Sequence, residues 1–193
     1  MSEKALPLFT RASAAAGQSR TQNIIQGEQA VSDDPNTVLT TLLGSCVAAC
    51  IRDPIAGIGG MNHFLLPGDP DSVGAGASDR FGVHAMELLV NAVLARGASR
   101  RRLEAKVFGG AATMQGLTDI GMLNARFAVS FLEREGIPIV GECLRGKLGR
   151  RIQYWPVSGR ARRNFMSPAE IPTVQLRPAP PREVADAGCL ELF

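Results

Sequence analysis

At 193 residues, 45% hydrophobic and 20% charged with a net charge of +3, the chain has the make-up of one globular domain with a proper core. The four cysteines (46, 50, 143, 189) lack framework spacing and no apolar run resembles a signal peptide, which excludes a secreted disulfide scaffold and predicts a reduced, cytoplasmic protein. The longest uncharged window, residues 35–51, is too short and too polar to span a bilayer, which excludes membrane insertion.

Residues 1–21, rich in Ala and Ser and without a sustained period, read as a flexible tail. A first strand is predicted over 23–31, a turn at Asp33-Asp34-Pro35-Asn36, and a β-branched strand over 37–43 ending at Gly44. Two short apolar runs, 47–51 and 58–65, then flank Asp53-Pro54 and predict a hairpin. If that hairpin is regular and centred between Pro54 and Ile55, Cys46 sits directly opposite His63, with Cβ atoms about 4.5–5.5 Å apart. A thiol and an imidazole at that separation can share a proton, which turns the thiol into a thiolate nucleophile and the His into an acid. A slip of one residue would put them on opposite faces. Both faces of the hairpin are apolar or small, so burial on both sides is predicted, and spacing alone favours a core Cys with a satisfied interior His.

Residues 68–78 form a cluster of turn formers, read as a lid or a plain surface connection. Asp79 is placed to cap an amphipathic helix to about Ala95, with Val83, Met86, Leu89, Val90 and Val93 inward, His84 solvated, and Gly97 as the stop. A strand over 103–108 runs into Gly109-Gly110, which lacks the Lys-Ser/Thr ending of a nucleotide loop and reads as a tight turn. A second helix over 124–135, a strand over 138–144 and a hairpin from 150–155 and 160–165 complete a domain spanning 22–167. The Pro-rich stretch 168–193 reads as a second flexible tail. Mixed strands with two helices fit an α+β layered domain.

Leu43-Gly44-Ser45-Cys46-Val47, Asp53-Pro54 and the block from Ile58-Gly59-Gly60-Met61-Asn62-His63 to Pro67 closely resemble the CheD family of bacterial chemoreceptor glutamine deamidases. Arg80-Phe81-Gly82, Ala85-Met86-Glu87-Leu88-Leu89, Lys106-Val107-Phe108-Gly109-Gly110, Phe131-Leu132-Glu133 and Gly136-Ile137-Pro138 continue it in order, over roughly residues 23–165. The resemblance implies an α/β/β/α sandwich with mixed sheets, like that of bacterial toxin glutamine deamidase domains. It carries the family's catalytic Cys, His and Thr onto Cys46, His63 and Thr40, with Thr40 orienting the imidazole. Six extended residues span roughly 20 Å, so the chain must fold back at Leu43-Gly44-Ser45 for Thr40 and Cys46 to meet one imidazole. The implied reaction is conversion of receptor Gln to Glu through a thioester, with some hydrolysis of Glu methyl esters. It needs no metal and no organic cofactor. The implied partners are the cytoplasmic helices of methyl-accepting chemotaxis proteins and a CheC-type phosphatase; the alternative is a non-catalytic adaptor docking on either. A monomer is expected. Arg145-Gly146-Lys147-Leu148 departs from the family's Gly-Gly-Asn type of loop ahead of Gly149-Arg150.

Seven cations (Arg145, Lys147, Arg150, Arg151, Arg160, Arg162, Arg163) lie between 145 and 163 with no Asp or Glu. They read as a solvated face or, with Arg160, Arg162 and Arg163 leading, as a dock for a Glu-rich helix. The segment matches no nucleic-acid motif, so no nucleic-acid partner is expected.

Overall fold

The computed structural model describes residues 19–66, 76–112 and 120–166. Nearly all of both expected tails and most of the expected lid, as well as Cys189, lie outside the described residues. Among the described residues, nine strands and two α-helices follow one another as β1 (Arg20–Asn23), β2 (Gln29–Ser32), β3 (Thr37–Leu43), β4 (Val47–Asp53), β5 (Ile58–Asn62), α1 (Gly76–Ala95), β6 (Glu104–Gly109), α2 (Ile120–Arg134), β7 (Ile139–Leu144), β8 (Arg150–Tyr154) and β9 (Ala161–Phe165). They build a four-stranded sheet in the order β1-β3-β8-β9 and a five-stranded sheet in the order β2-β5-β4-β6-β7. Both sheets are mixed, since β1 runs parallel to β3 and β6 parallel to β7 while the other pairs are antiparallel. This is the expected α+β sandwich; among the described residues both helices cover the five-stranded sheet. No described helix is long and apolar enough to cross a membrane.

The two-residue period of β4 organises the interior. Val47, Ala49 and Ile51 point at the helices and join Met86, Leu89, Val93, Phe127 and Phe131 in one core. Ala48 and Cys50 point the other way, at the second sheet, and join Leu39, Leu43, Met61, Phe108, Ile152 and Tyr154 in another. Each large side chain so buried contributes about 1.5–3 kcal/mol, which is why a central strand with no polar face is stable here. The α1 stripe of Met86, Leu89, Val90 and Val93 follows helical spacing, His84 is exposed, and Gly97 ends the helix at φ 104°. Residues 120–123, ahead of the expected start at Asn124, are also helical.

Two expectations about the strands are corrected. The strand expected over 23–31 is two strands in different sheets. The crossing is made by a turn in which Glu28 N–H donates to Ile25 C=O and Gly27 takes φ 88°, a conformation that favours glycine. The central hairpin, in turn, is centred one residue beyond where a tight turn would put it, which shifts every cross-strand partner by two. Asp53 pairs with Ile58 and Arg52 with Gly59, and a Val47–Phe64 bridge continues that register. The cause is Asp53. Its carboxylate accepts the N–H groups of Ile55 and Ala56, opening a four-residue loop that closes with Gly57 at φ 67° donating to Asp53 C=O. The same carboxylate is fully buried and takes Ser99 N–H and two nitrogens of Arg102. The Arg102 guanidinium, above all, holds it far below the usual carboxylate range.

Candidate active site

A shift of two residues preserves the face, so Cys46 and His63 still lie on the same side of the hairpin. They are diagonal rather than directly opposed, a separation of about 7–8 Å that an imidazole and a thiol can span. That side faces the other sheet. His63 is 7% exposed, and its Nδ1 lies 2.8 Å from Thr41 Oγ1 and 3.4 Å from Ile24 C=O. The Thr41 hydroxyl has one hydrogen, and Ile24 C=O accepts it at 2.6 Å. Thr41 can therefore only accept from the ring, which puts the imidazole proton on Nδ1 and leaves a lone pair on Nε2. Nε2 is buried and has no hydrogen-bond partner among the described residues.

Thr40, expected at this imidazole, is turned away from it. Its hydroxyl donates to Ile152 C=O at 2.8 Å, across the β3–β8 ladder. The reason is the pleat: Leu39, Thr41 and Leu43 share the face toward the second sheet, so their even-numbered neighbour looks outward. Thr41, 1% exposed, occupies the position that the resemblance assigned to Thr40.

The loop carrying Cys46 is held on three sides. Gly110 N–H donates to Cys46 C=O at 2.7 Å and Ala111 N–H to Gly44 C=O at 2.8 Å. Asn124, fully buried on α2, donates to Ser45 C=O and accepts Leu66 N–H. The Gly109-Gly110 pair is thus a tight turn serving the cysteine loop, with φ values of 113° and 65°. The loop at 145–149 is clamped in turn by the buried Arg150, whose guanidinium donates to the carbonyls of Cys143, Arg145 and Leu148, while Arg145 N–H donates to Gly109 C=O. Sequence reasoning missed Asn124 because a polar residue early in a helix carries no periodic signal, and it missed Gln26, whose Oε1 lies 3.6 Å from Cys46 Sγ.

Burial pushes the Cys46 thiol up to about 11, against a smaller lowering by its own backbone N–H. Burial likewise lowers His63 below its ordinary value, opposed by the Ile24 carbonyl. The resting pair is therefore a neutral thiol beside a neutral imidazole, not the thiolate and imidazolium that a solvated Cys-His pair would form. Alkylation of Cys46 by iodoacetamide should accordingly be slow at pH 6 and rise about tenfold per pH unit from neutrality toward pH 10, tracking the thiolate fraction. A rate that is already level below pH 7 would show a depressed thiol instead.

Among the described residues no group of three or more His, Cys, Asp or Glu is placed to hold a metal. The cations at the C-terminal hairpin are dispersed. Arg163 pairs in register with Ile152, which pairs with Thr41, so its backbone stands level with Thr41 two strands away, about 10 Å. It donates to Cys143 Sγ at 2.7 Å and covers the Phe165 ring. Arg162 pairs with Gln153 on the opposite face, and Arg160 stacks on Trp155 beyond the far end of β8 from Leu43 and the cysteine loop.

Residues 65–164 match the family described as CheD chemotactic sensory transduction. A protein of Rhizobium johnstonii named probable chemoreceptor glutamine deamidase CheD is 55% identical over 181 residues, covering 92% of this chain and 98% of its own. Proteins of the same name from Acidiphilium cryptum and Caulobacter vibrioides are 54% and 52% identical, covering 94% and 89% of this chain and 98% and 92% of their own. The solved Bacillus licheniformis protein YfiH, at 11% identity and a TM-score of 0.39 over 67% of this chain and 60% of its own, is too distant to bear on the argument. With full-length relatives above half identity and a matching family model over residues 65–164, the chain belongs to the CheD family.

Proposed function

We propose that the chain is a cysteine hydrolase that converts glutamine side chains of chemoreceptors to glutamate, acting on their cytoplasmic helices. The observation that carries the proposal is the imidazole of His63: its Nδ1 proton is committed to Thr41, and its buried Nε2 is left as a free base on the face it shares with Cys46. An amide is a poor electrophile and ammonia a poor leaving group, so both a nucleophile and a proton are needed. His63 Nε2 takes the thiol proton as Cys46 Sγ bonds to the Gln side-chain carbon, and the carbonyl electron pair moves to oxygen. The adduct collapses, the C–N bond breaks, and ammonia leaves with the proton from Nε2. Water, deprotonated by the same nitrogen, adds to the thioester; the C–S bond breaks, leaving Glu and the original thiol. A Glu methyl ester offers the same carbonyl with an easier leaving group and is hydrolysed by the same steps. Waiting for substrate before deprotonation suits a raised thiol, since the thiolate then exists only where an electrophile consumes it. Docking of an acidic receptor helix, assigned from the sequence to Arg160, Arg162 and Arg163, falls mainly to Arg163, which stands level with Thr41, the hydrogen-bond partner of His63.

The deciding experiment is mass spectrometry of a chemoreceptor cytoplasmic fragment incubated with the protein, reading the mass change that marks Gln becoming Glu. No conversion at any Gln sinks the proposal. Within it, Thr41→Val should lower kcat about 10- to 100-fold, part of the 10²–10⁴ that a positioned base supplies. Thr40→Val should leave kcat near wild type and cost about 1 kcal/mol of stability, the net worth of one hydrogen bond. If Thr40→Val proves the more damaging to kcat, the orienting role returns to Thr40.

A further inference from the structure

The segment that crosses between the two sheets, residues 24–28, is pinned to the catalytic pair along its length. Ile24 N–H donates to Thr40 C=O, Ile24 C=O takes the Thr41 hydroxyl, Gly27 N–H donates to His63 C=O, and His63 N–H donates to Glu28 C=O. Glu28 also closes the turn on itself through its carboxylate and Ile25 N–H. Between these anchors stands Gln26. Its backbone is thus set relative to both reacting side chains, and its carboxamide reaches the sulfur of Cys46, with Oε1 3.6 Å away as acceptor of the thiol hydrogen. An exposed glutamine elsewhere on the surface would need no account; one held against a nucleophile does.

A carboxamide carries an acceptor and two donors on one end, and the torsion that exchanges them is soft. In the resting state the sulfur bears a hydrogen, so the oxygen faces it. Once that hydrogen has passed to His63 Nε2 and the sulfur has bonded to the substrate carbon, the new charge beside the sulfur is an oxyanion, to which only a donor is complementary. The Cys46 N–H already lies against its own sulfur. Resting on the deamidase reading above, we propose that Gln26 is a catalytic residue: its Nε2–H group, with the Cys46 backbone N–H, forms the hole that holds the oxyanion of both tetrahedral adducts. The side chain neither gains nor loses a proton. Its contribution is to stabilise charge that is absent from the bound substrate, so it acts on kcat rather than on KM.

The test is steady-state deamidation of a chemoreceptor cytoplasmic fragment by full-length wild type, Gln26→Ala, Gln26→Glu and Cys46→Ala, with thermal melts as a check of folding. The expected result is a kcat lower by about 10²–10³ for Gln26→Ala, the usual loss of one oxyanion donor, with KM changed by no more than a few-fold. Gln26→Glu, the same shape with a negative charge facing the oxyanion, should be slower still. Wild-type kcat in Gln26→Ala overturns the proposal. So does a raised kcat, which would make Gln26 a guard that keeps the thiol protonated. A loss confined to KM would make it a substrate contact and overturns the proposal as well. Because wild type and Cys46→Ala are read in parallel, the two levels separate: no conversion by wild type removes the deamidase reading and this inference together. Cys46-dependent conversion that Gln26→Ala matches removes this inference alone.

Discussion

Cys46→Ala is expected to stop Gln conversion and ammonia release altogether, a fall on the order of 10⁶-fold, the scale seen when a covalent nucleophile is removed. No other described thiol can substitute: Cys50 is fully buried, and Cys143 lies two strands from β4 under the guanidinium groups of Arg150 and Arg163. His63→Ala should be nearly as severe, because with the thiol held near 11 there is almost no thiolate at neutral pH unless Nε2 removes the proton. The double variant should be hardly worse than either single one, since both act in the same step. The measurement is single-turnover conversion of a receptor fragment, with a thermal melt to show that the Cys46→Ala fold is intact. Full activity in Cys46→Ala would end the nucleophile assignment, and fully additive losses would end the shared step.

Gly109→Ala should be the most damaging change away from the reacting atoms. At φ 113° the backbone sits where a side chain is strained, at about 1–3 kcal/mol. A Cβ there would stand 2.1 Å from Cys46 C=O and 3.0 Å from Val47 Cα. Neither neighbour is the yielding end of a side chain, so the backbone carrying Cys46 has to move, at about a further 1–3 kcal/mol. A displacement near 1 Å at a nucleophile costs about 10²-fold in rate, so kcat should fall at least that far in protein that still melts cooperatively, at a lower Tm. The control is Gly136→Ala, also at positive φ (65°) but with open space around its Cβ, which should lower Tm without lowering kcat. Equal kcat in the two variants would show that the Gly109-Gly110 turn does not hold the cysteine loop.

Much of this was legible in the residues themselves. The two apolar runs 47–51 and 58–65, separated by Asp53-Pro54, announced a buried hairpin, and the odd separation of Cys46 and His63 placed them on one face for any register shifted by an even number of residues. The α1 stripe and the stops at Gly97 and Gly136 are local properties and were read locally. Three things were decided only by the fold. The register moved two residues because the Asp53 carboxylate, drawn into the interior by Arg102 of a distant segment, captured two N–H groups of the turn. Thr41 rather than Thr40 meets His63 because β3 is apolar on both faces, and a strand of that kind does not declare which face will meet the second sheet. The expected strand over 23–31 broke because Gly27 permits the turn, but only pairing with β3 on one side and β5 on the other makes breaking it worthwhile; that crossing is what carries Gln26 to the sulfur. The protonation states belong to the same class. A Cys opposite a His is a pattern in one dimension, whereas the desolvation that keeps the thiol protonated and the imidazole neutral is the summed effect of two sheets closing over them.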